Sequence, residues 1–180
     1  MTVVVRTATG ADARAIATVR IETWRVAYAG LIAQEVLDGL DLERETERRA
    51  LHWDENHADP RTREFVAEVG GELAGWAAVG PSRDPDAGDT GEVYALYALP
   101  RHWSTGVGHA LMVASERFLI RSGFHSAHLW YLEGNERAAS FYERHGWIED
   151  GAAKVDDRIV GGRQAHALHE RRRVRDLGDR

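Results

Sequence analysis

Residues 98–112 read ALPRHWSTGVGHALM, an apolar stretch that passes through Pro100 and a short polar turn into an amphipathic helical pattern. Gly106 and Gly108 lie where that helix begins, although glycine costs roughly 1 kcal/mol relative to alanine inside a helix. A glycine turn between a strand and a helix points the first helical N–H groups at one spot, which attracts phosphate. Because glycine has no Cβ, a ligand can approach the main chain closely there. The stretch therefore predicts a site for a phosphate-bearing ligand.

Two common phosphate motifs are excluded at this position. No Lys-Ser or Lys-Thr pair follows Gly108, as a Walker loop requires, and the third glycine of the dinucleotide fingerprint is missing. ATP and NAD are therefore not the expected ligands.

Composition limits the class of protein. The chain has 180 residues, of which 43% are hydrophobic, and this is enough for the core of one domain. Its 23 Lys and Arg against 29 Asp and Glu give a net charge of -6, which argues against broad nucleic-acid binding and favours cationic partners. With no cysteine and no run of eighteen apolar residues, we expect a cytoplasmic protein without a membrane span.

Hydrophobic periodicity predicts a mixed αβ domain with about seven strands and four helices. The strands are predicted at 3–5, 64–68, 72–79, 92–99, 127–132, 147–153 and 163–171, and the helices at 13–28, 34–53, 105–121 and 135–145. Gly70 and Gly71 predict a tight hairpin, and residues 81–91 a flexible surface loop. We expect residues 1–173 to form the domain and residues 174–180 a frayed polar tail.

The opening stretch resembles motif A of the GNAT superfamily of acyl-CoA-dependent N-acetyltransferases. That motif is Arg or Gln, two residues, Gly, one residue, then Gly or Ala, and it places Trp103, Gly106 and Gly108 on its three positions. Trp103 departs from the usual Arg or Gln. A second stretch, LWYLEGNERAASFYERHGW at 129–147, resembles motif B, and WRVAYAGL at 24–31 resembles the first helix and turn of bacterial members. With the order of the elements, the resemblance covers nearly the whole chain.

The resemblance implies an α+β fold with a central, mostly antiparallel twisted sheet, and it implies acetyl-CoA as the co-substrate. The pantetheine arm is expected between the fourth and fifth strands, against the main chain of Ala98 and Leu99, with backbone N–H groups polarising the thioester. The other residues implied in cofactor binding are Trp103, Thr105, Gly106, Val107, Gly108, His109, Asn135, Ala138 and Tyr142.

The implied reaction is direct transfer of acetyl to a primary amine within a ternary complex. An aliphatic amine has a pKa of about 10.4, so freeing its lone pair at neutral pH costs roughly 4.6 kcal/mol and requires a proton acceptor. Glu92 is the leading candidate, directly or through water, and an ordinary strand carboxylate is the alternative. Strand alternation predicts that Tyr94, Leu96 and Ala98 lie on the same face of the strand as Glu92. The opposite face is predicted to carry Val93, Ala95, Tyr97 and Leu99.

Tyr142 matches the tyrosine that many relatives use to hydrogen-bond or protonate the departing sulfur, with core packing as the alternative. We expect no metal site, because the pairs His125 with His128 and His166 with His169 are spaced to face opposite sides of a strand.

The acceptor site is implied at the first two helices and the loop between the last two strands. These segments offer Trp24, Tyr28, Gly30, Asp156 and Asp157, and the carboxylates suit a cationic small-molecule or protein amine. A homodimer is possible in this family. Two other functions stay open. One is a non-catalytic acyl-CoA-binding or sensing domain. The other is a nucleic-acid or protein-interaction module, and the HERRRVR run at 169–175 is the only sequence feature that supports it.

Overall fold

A seven-stranded sheet with helices on both faces forms the described part of the chain, which comprises residues 2–156, 159–160, 163–164 and 167–178 of a computed structural model. The strands of this sheet are β1 (Val3–Thr7), β2 (Arg63–Val69), β3 (Glu72–Pro81), β4 (Gly91–Ala98), β5 (Ser126–Leu132), β6 (Ile148–Asp156) and β9 (Leu168–Asp176). A two-stranded ribbon pairs β7 (Ile159–Val160) with β8 (Arg163–Gln164). The helices are α1 (Ala13–Ala27), α2 (Gln34–Asp38), α3 (Leu42–Leu51), α4 (Trp53–Asn56), α5 (Val107–Arg121) and α6 (Glu136–Arg144). Asp157 and His166 lie outside the described residues.

The sheet order is β1-β2-β3-β4-β5-β9-β6, and every neighbouring pair is antiparallel except β4 and β5. The predicted α+β class and mostly antiparallel sheet are therefore confirmed. The hairpin between β2 and β3 turns at Gly70 and Gly71, whose φ angles of 60° and 83° are left-handed. A tight turn of this kind favours glycine, as the sequence predicts.

Two cores fix the helices against the sheet. On one face α5 packs through Val107, Leu111, Met112 and Leu119 onto β1–β4. On the other face α1 and α2 bury a second set of side chains against the sheet: Ile16, Val19, Ile21, Trp24, Val36 and Leu37. This arrangement holds the start of α5 and the end of α1 on opposite sides of β4.

The predicted helix over 34–53 is wrong as a single element, because the chain breaks it near Gly39. Asp41 lies before α3 with an extended backbone, and its side chain accepts a hydrogen bond from the Arg44 N–H at 2.9 Å. An aspartate cap of this type begins a new helix and so ends the previous one.

The last strand of the sheet runs further than predicted. It extends to Asp176 rather than stopping at residue 171, Val174 pairs with His128 of β5, and Leu177 is buried. Ion pairs hold the basic residues of this strand: Arg172 contacts Asp150 of β6 at 2.6 Å, and Arg175 contacts Glu116 of α5 at 2.7 Å. The HERRRVR run is therefore part of the sheet, with carboxylate partners within the chain.

The alternation predicted for β4 is wrong beyond Tyr94 because the strand contains a β-bulge. Val93 pairs with Val79 and Ala95 with Ala78, so Tyr94 is an extra residue. A bulge shifts the following residues to the other face. Tyr97 therefore shares the face of Glu92, and Leu96 packs with Val93 in the α5 core.

Gly75 of β3 lies beneath α5, and we expect a larger residue to be tolerated least at this position. A Cβ atom there would lie 2.6 Å from Val107 Cγ1 and 2.9 Å from the Tyr97 carbonyl oxygen. We expect Gly75→Ala to lower the free energy of unfolding by about 1–3 kcal/mol in urea denaturation, because the main-chain oxygen cannot yield. Gly10→Ala is the matched control, since its Cβ would meet nothing closer than 3.6 Å. Equal stability of the two variants would contradict this packing.

Candidate active site

The gap between β4 and β5 is the central feature of the site. These parallel strands pair only at Gly91–Ala127, Glu92–His128 and Val93–Leu129, although β4 continues to Ala98. A cleft of about 310 Å³ opens beyond the last pair. Its walls include the remainder of β4, the end of β5, the start of α5 and the inner side of α6.

The main chain of β4 presents hydrogen-bonding groups to this cleft. The Leu99 N–H donates to the Ala74 carbonyl at 2.9 Å, and the antiparallel alternation then turns the N–H and C=O groups of Leu96 and Ala98 away from β3. The Leu99 main chain, for which we predicted a contact with the pantetheine arm, is therefore paired within the chain. Its N–H is taken by Ala74, and its carbonyl accepts from the His102 N–H at 2.8 Å.

One of these groups already has partners within the chain. The Ala98 carbonyl accepts hydrogen bonds from Thr23 Oγ1 at 3.0 Å and from the indole Nε1 of Trp103 at 2.8 Å. A carbonyl with two donors has both lone pairs occupied. The N–H of Ala98 and both main-chain groups of Leu96 are thus the ones that point into the gap.

The N-terminus of α5 forms the far end of the cleft. Its first helical hydrogen bond runs from the Ala110 N–H to the Gly106 carbonyl, so the N–H groups of residues 106–109 lie before the ladder. Gly106 has a φ of 94°, a left-handed conformation that favours glycine, and this is why α5 begins at Val107 rather than at Thr105.

The residues predicted around this helix start divide into two groups. Gly106, Gly108 and His109 line the cleft, whereas the Val107 side chain is buried in the α5 core. The Thr105 N–H, which we predicted to bind the pyrophosphate, points back to the His102 carbonyl at 3.4 Å.

Gly108 is also small for a packing reason. A Cβ atom there would lie 3.2 Å from the Phe141 ring of α6. Its place in the motif therefore brings α5 and α6 together, in addition to exposing a main-chain N–H at the cleft.

Trp103 links the two walls of the cleft. Its indole N–H donates a hydrogen bond to the Ala98 carbonyl. The guanidinium of Arg137 lies over its ring, with Cζ 4.2 Å from the ring centroid. Both residues line the cleft, as does Arg144 further along α6. A cation from α6 therefore lies at the position where the motif usually supplies an Arg or Gln side chain.

His109 belongs to a short hydrogen-bonded chain. His145 Nδ1 lies 2.7 Å from the Phe141 carbonyl, and His145 Nε2 lies 3.0 Å from His109 Nδ1. Because a carbonyl only accepts, His145 donates through Nδ1, and in the neutral ring its Nε2 accepts from His109 Nδ1. This chain ties the first turn of α5 to the last turn of α6.

Four residues of motif B line the cleft: Asn135, Ala138, Phe141 and Tyr142. Tyr142 lines it and is only 8% exposed, and burial together with the nearby Tyr97 raises the pKa of its phenol well above the usual range. Asn135 caps α6 by accepting from the Ala138 N–H at 3.2 Å, and both of these residues contact the cleft.

A second cavity of about 90 Å³ adjoins the first. Trp24 and Tyr28 line it, as do four charged side chains: Arg83, Glu92, Lys154 and Glu170. The two cavities share six lining residues: Tyr28, Val93, Tyr94, Tyr97, Trp130 and Tyr131. The structure therefore brings the predicted cofactor residues and the predicted acceptor residues to one junction.

Glu92 is held by Arg83 within this second cavity. Its side chain is 2% exposed, and its oxygens accept from the Arg83 main-chain N–H at 2.8 Å and from Arg83 Nη2 at 2.5 Å. The buried His128 beside it donates to or accepts from Ser82 at 2.8 Å, and burial lowers the pKa of that imidazole.

Sequence analysis missed four residues of the site: Arg83, Arg137, Lys154 and Glu170. Arg83 lies in a loop whose composition indicates only flexibility, and Glu170 lies in a charged run that is typical of a solvated strand. Of the four, only Arg137 had a sequence signal that could have placed it in the site, because it lies within motif B one helical turn before Phe141.

The residues present fit a molecule with the chemistry of acyl-CoA. Arg137, Arg144 and the first N–H groups of α5 can hold phosphates, and the inward main chain of Leu96 and Ala98 can hold an amide-bearing arm. Within the described residues no group of three or more His, Asp or Glu side chains could hold a metal ion. No helix in that same part of the chain is long and apolar enough to cross a membrane.

Comparison with known proteins agrees with this geometry. Residues 24–147 match the model of the acetyltransferase (GNAT) family. The chain is 32% identical over 147 residues to the uncharacterized N-acetyltransferase YuaI of Bacillus subtilis (strain 168), with 79% of each chain covered. It is also 32% identical over 103 residues to a mycothiol acetyltransferase of Paenarthrobacter aurescens (strain TC1), which covers 56% of this chain and 30% of that protein.

Solved structures show the same fold. The PaiA N-acetyltransferase of Thermoplasma acidophilum in complex with coenzyme A has a TM-score of 0.73 at 17% identity, covering 98% of this chain and 99% of that one. YncA of Salmonella typhimurium with acetyl-CoA has a TM-score of 0.69 at 21% identity, covering 100% and 96%. Since the family model spans well over half of the residues, the chain belongs to the acetyltransferase (GNAT) family.

Proposed function

We propose that this protein transfers an acetyl group from acetyl-CoA to a primary amine by direct attack within a ternary complex. The observation that carries the proposal is the junction of the two cavities at Tyr28 and Tyr97. At this junction the separation of β4 from β5 opens a passage from one side of the sheet to the other. A donor in the larger cleft and an acceptor in the smaller one would meet there. Close approach of two bound reactants removes much of the entropic barrier to their reaction.

Acetyl-CoA would supply the thioester as the activated acyl group. The N–H of Ala98 faces the gap and can donate to the oxygen on which negative charge develops. Thr23 and Trp103 fix the adjacent carbonyl, so this N–H is held in place before the reactants bind. Arg137 and the N-terminus of α5 would hold the phosphates.

Tyr142 is proposed as the hydrogen-bond donor to the departing sulfur. Its phenol stays protonated at neutral pH because burial raises its pKa. A protonated phenol in a partly dry cleft can stabilise a thiolate as the carbon–sulfur bond breaks.

Trp24 and Tyr28 are proposed to line the acceptor site. Their rings meet edge to face with centroids 5.0 Å apart, and the Arg20 Cζ lies 4.3 Å from the centroid of the Trp24 ring. Aromatic walls of this kind accept an aliphatic stem or a cationic head. Glu92 adjoins the same cavity, and its proposed role as proton acceptor requires that Arg83 release it.

A Tyr142→Phe variant tests the proposed donor. We expect kcat for thiol release to fall by about 100-fold, because one hydrogen bond to developing charge is lost. Thermal stabilisation by acetyl-CoA should change little, since the phenol oxygen acts on the leaving group. An unchanged kcat would contradict the role of Tyr142, whereas acetyl-CoA binding without thiol release from any amine would favour the non-catalytic acyl-CoA-binding alternative.

The Arg83–Glu92 pair makes a separate prediction about stability. Arg83→Met leaves a buried carboxylate without its cation, and we expect the free energy of unfolding to fall by about 2 kcal/mol in urea at pH 7. Adding Glu92→Gln should restore more than half of that loss, because the unpaired charge is removed. Arg14→Met is the control, since the Arg14–Glu43 pair is exposed on both sides and should contribute little. Purely additive losses would show that the two side chains are not coupled.

A further inference from the structure

His102 is a buried imidazole in the wall of the larger cleft. It ends the 3-10 helical turn Pro100–His102, which follows β4, and the residue is 8% exposed. Its main chain is satisfied, because the N–H donates to the Leu99 carbonyl at 2.8 Å and the carbonyl accepts from Thr105 Oγ1 at 2.7 Å. Neither ring nitrogen has a hydrogen-bond partner within the described residues. The turn is therefore well held, while the imidazole that it presents makes no hydrogen bond in that part of the chain.

A buried imidazole without hydrogen bonds is unusual in a folded protein. Every form of the ring carries at least one N–H, and a donor that has lost water without gaining a partner destabilises the folded state. Nearly all buried polar groups in proteins are paired, so an exception requires a physical reason. A binding role supplies that reason, because the ligand completes the hydrogen bonds of the ring.

Its position distinguishes this imidazole from other buried groups of the same kind. Among the described residues, several have a buried side-chain nitrogen or oxygen without a hydrogen-bond partner, and of these only His102 lines the larger cleft. Two other polar side chains of the cleft wall are used within the chain, since Thr23 Oγ1 and the Trp103 indole both donate to the Ala98 carbonyl. His102 is thus the buried side chain of this cleft whose hydrogen-bonding capacity the described residues leave unused.

The chemistry of the imidazole indicates which part of a ligand it suits. In the neutral ring one nitrogen donates and the other accepts, so a ligand that satisfies both must carry a donor and an acceptor. Phosphate groups offer acceptor oxygens, whereas an arm that contains amides carries N–H and C=O groups together. Burial also opposes a charged imidazole, which is the form that would suit phosphate best. His102 therefore matches the arm of an acyl donor rather than its phosphates.

We propose that His102 binds the amide-bearing arm of acyl-CoA through its imidazole. His102 lies four residues after Ala98, the residue proposed at the thioester, and four before Gly106, where the proposed phosphate site begins. Both ring nitrogens lie beneath the surface of the cleft, and rotation about the Cβ–Cγ bond, a soft torsion in histidine, brings one of them to the arm. The inference rests on the proposed use of acetyl-CoA and names a residue that contacts the donor between its two ends.

Separate titrations of CoA and of adenosine 3′,5′-bisphosphate test the inference, because the bisphosphate carries phosphates and lacks the arm. His102→Leu and His102→Phe both remove the two nitrogens, one with a smaller side chain and the other with a flat ring. We expect isothermal titration calorimetry to show about tenfold weaker binding of CoA to each variant, because hydrogen bonds to a buried group are lost. Binding of the bisphosphate should be unchanged, which also shows that the variants are folded.

His57 provides the matched control. Its Nε2 likewise has no hydrogen-bond partner in the part of the chain that the structure describes, but the residue lines neither of the two cavities. We expect His57→Leu to bind both CoA and the bisphosphate as the wild type does. A selective loss of CoA binding in the His102 variants then follows from the place of the imidazole in the cleft, since His57 is a buried histidine without that place.

Three outcomes overturn the inference. Wild-type affinity for CoA in both His102→Leu and His102→Phe would show that the imidazole does not bind the arm. Equal weakening or loss of both ligands would assign His102 to the fold or to the phosphate end of the cleft. Either result leaves the proposed acetyl transfer intact, whereas failure of the wild-type protein to bind CoA at all would remove the proposed function and this inference with it.

Discussion

The divergence of β4 from β5 after three paired residues is the constraint on which the rest of the site depends. A strand interior normally satisfies its main-chain groups on both sides, and unpaired ones in a protein interior are costly. Here the chain leaves Leu96 and Ala98 facing a cleft, and it uses Thr23 and Trp103 to satisfy the one carbonyl nearest the glycine turn. The cleft is therefore lined by main-chain N–H and C=O groups that have no neighbouring strand to pair with.

Helix positions keep this gap open. Gly75 lets α5 approach β3, Gly108 lets α6 approach α5, and the His109–His145 hydrogen bond joins the two helices at the cleft. On the other face, α1 brings Trp24 and Tyr28 over the same strands. The bulge at Tyr94 then turns Tyr97 towards α1, which joins the two cavities. Packing on both faces thus places the N-terminus of α5 and the smaller cavity at one opening in the sheet.

Much of this arrangement could be predicted from the sequence because local chemistry determines it. Gly70 and Gly71 require a tight hairpin, Gly106 requires a left-handed turn, and the spacing of motif B places Tyr142 and Ala138 on one face of α6. The family resemblance supplied the mostly antiparallel sheet and the gap between its fourth and fifth strands, which periodicity alone left open. These features depend on few residues close together in the chain.

The remainder depended on contacts between distant segments. The break before α3 and the bulge in β4 come from main-chain geometry that a hydrophobic pattern does not record. Leu99 and Thr105 have the spacing expected of ligand donors, yet Ala74 and His102 take their N–H groups. Arg83 and Glu170 are ordinary surface charges in the sequence, and only the fold brings them to the same cavity. The central claim is that unpaired main-chain groups of β4 bind the acyl donor. It is most directly tested by amide hydrogen exchange with and without acetyl-CoA. Slower exchange at Leu96 or Ala98 on binding, with Leu99 unchanged, is the predicted result, and binding that leaves both Leu96 and Ala98 unprotected would contradict it.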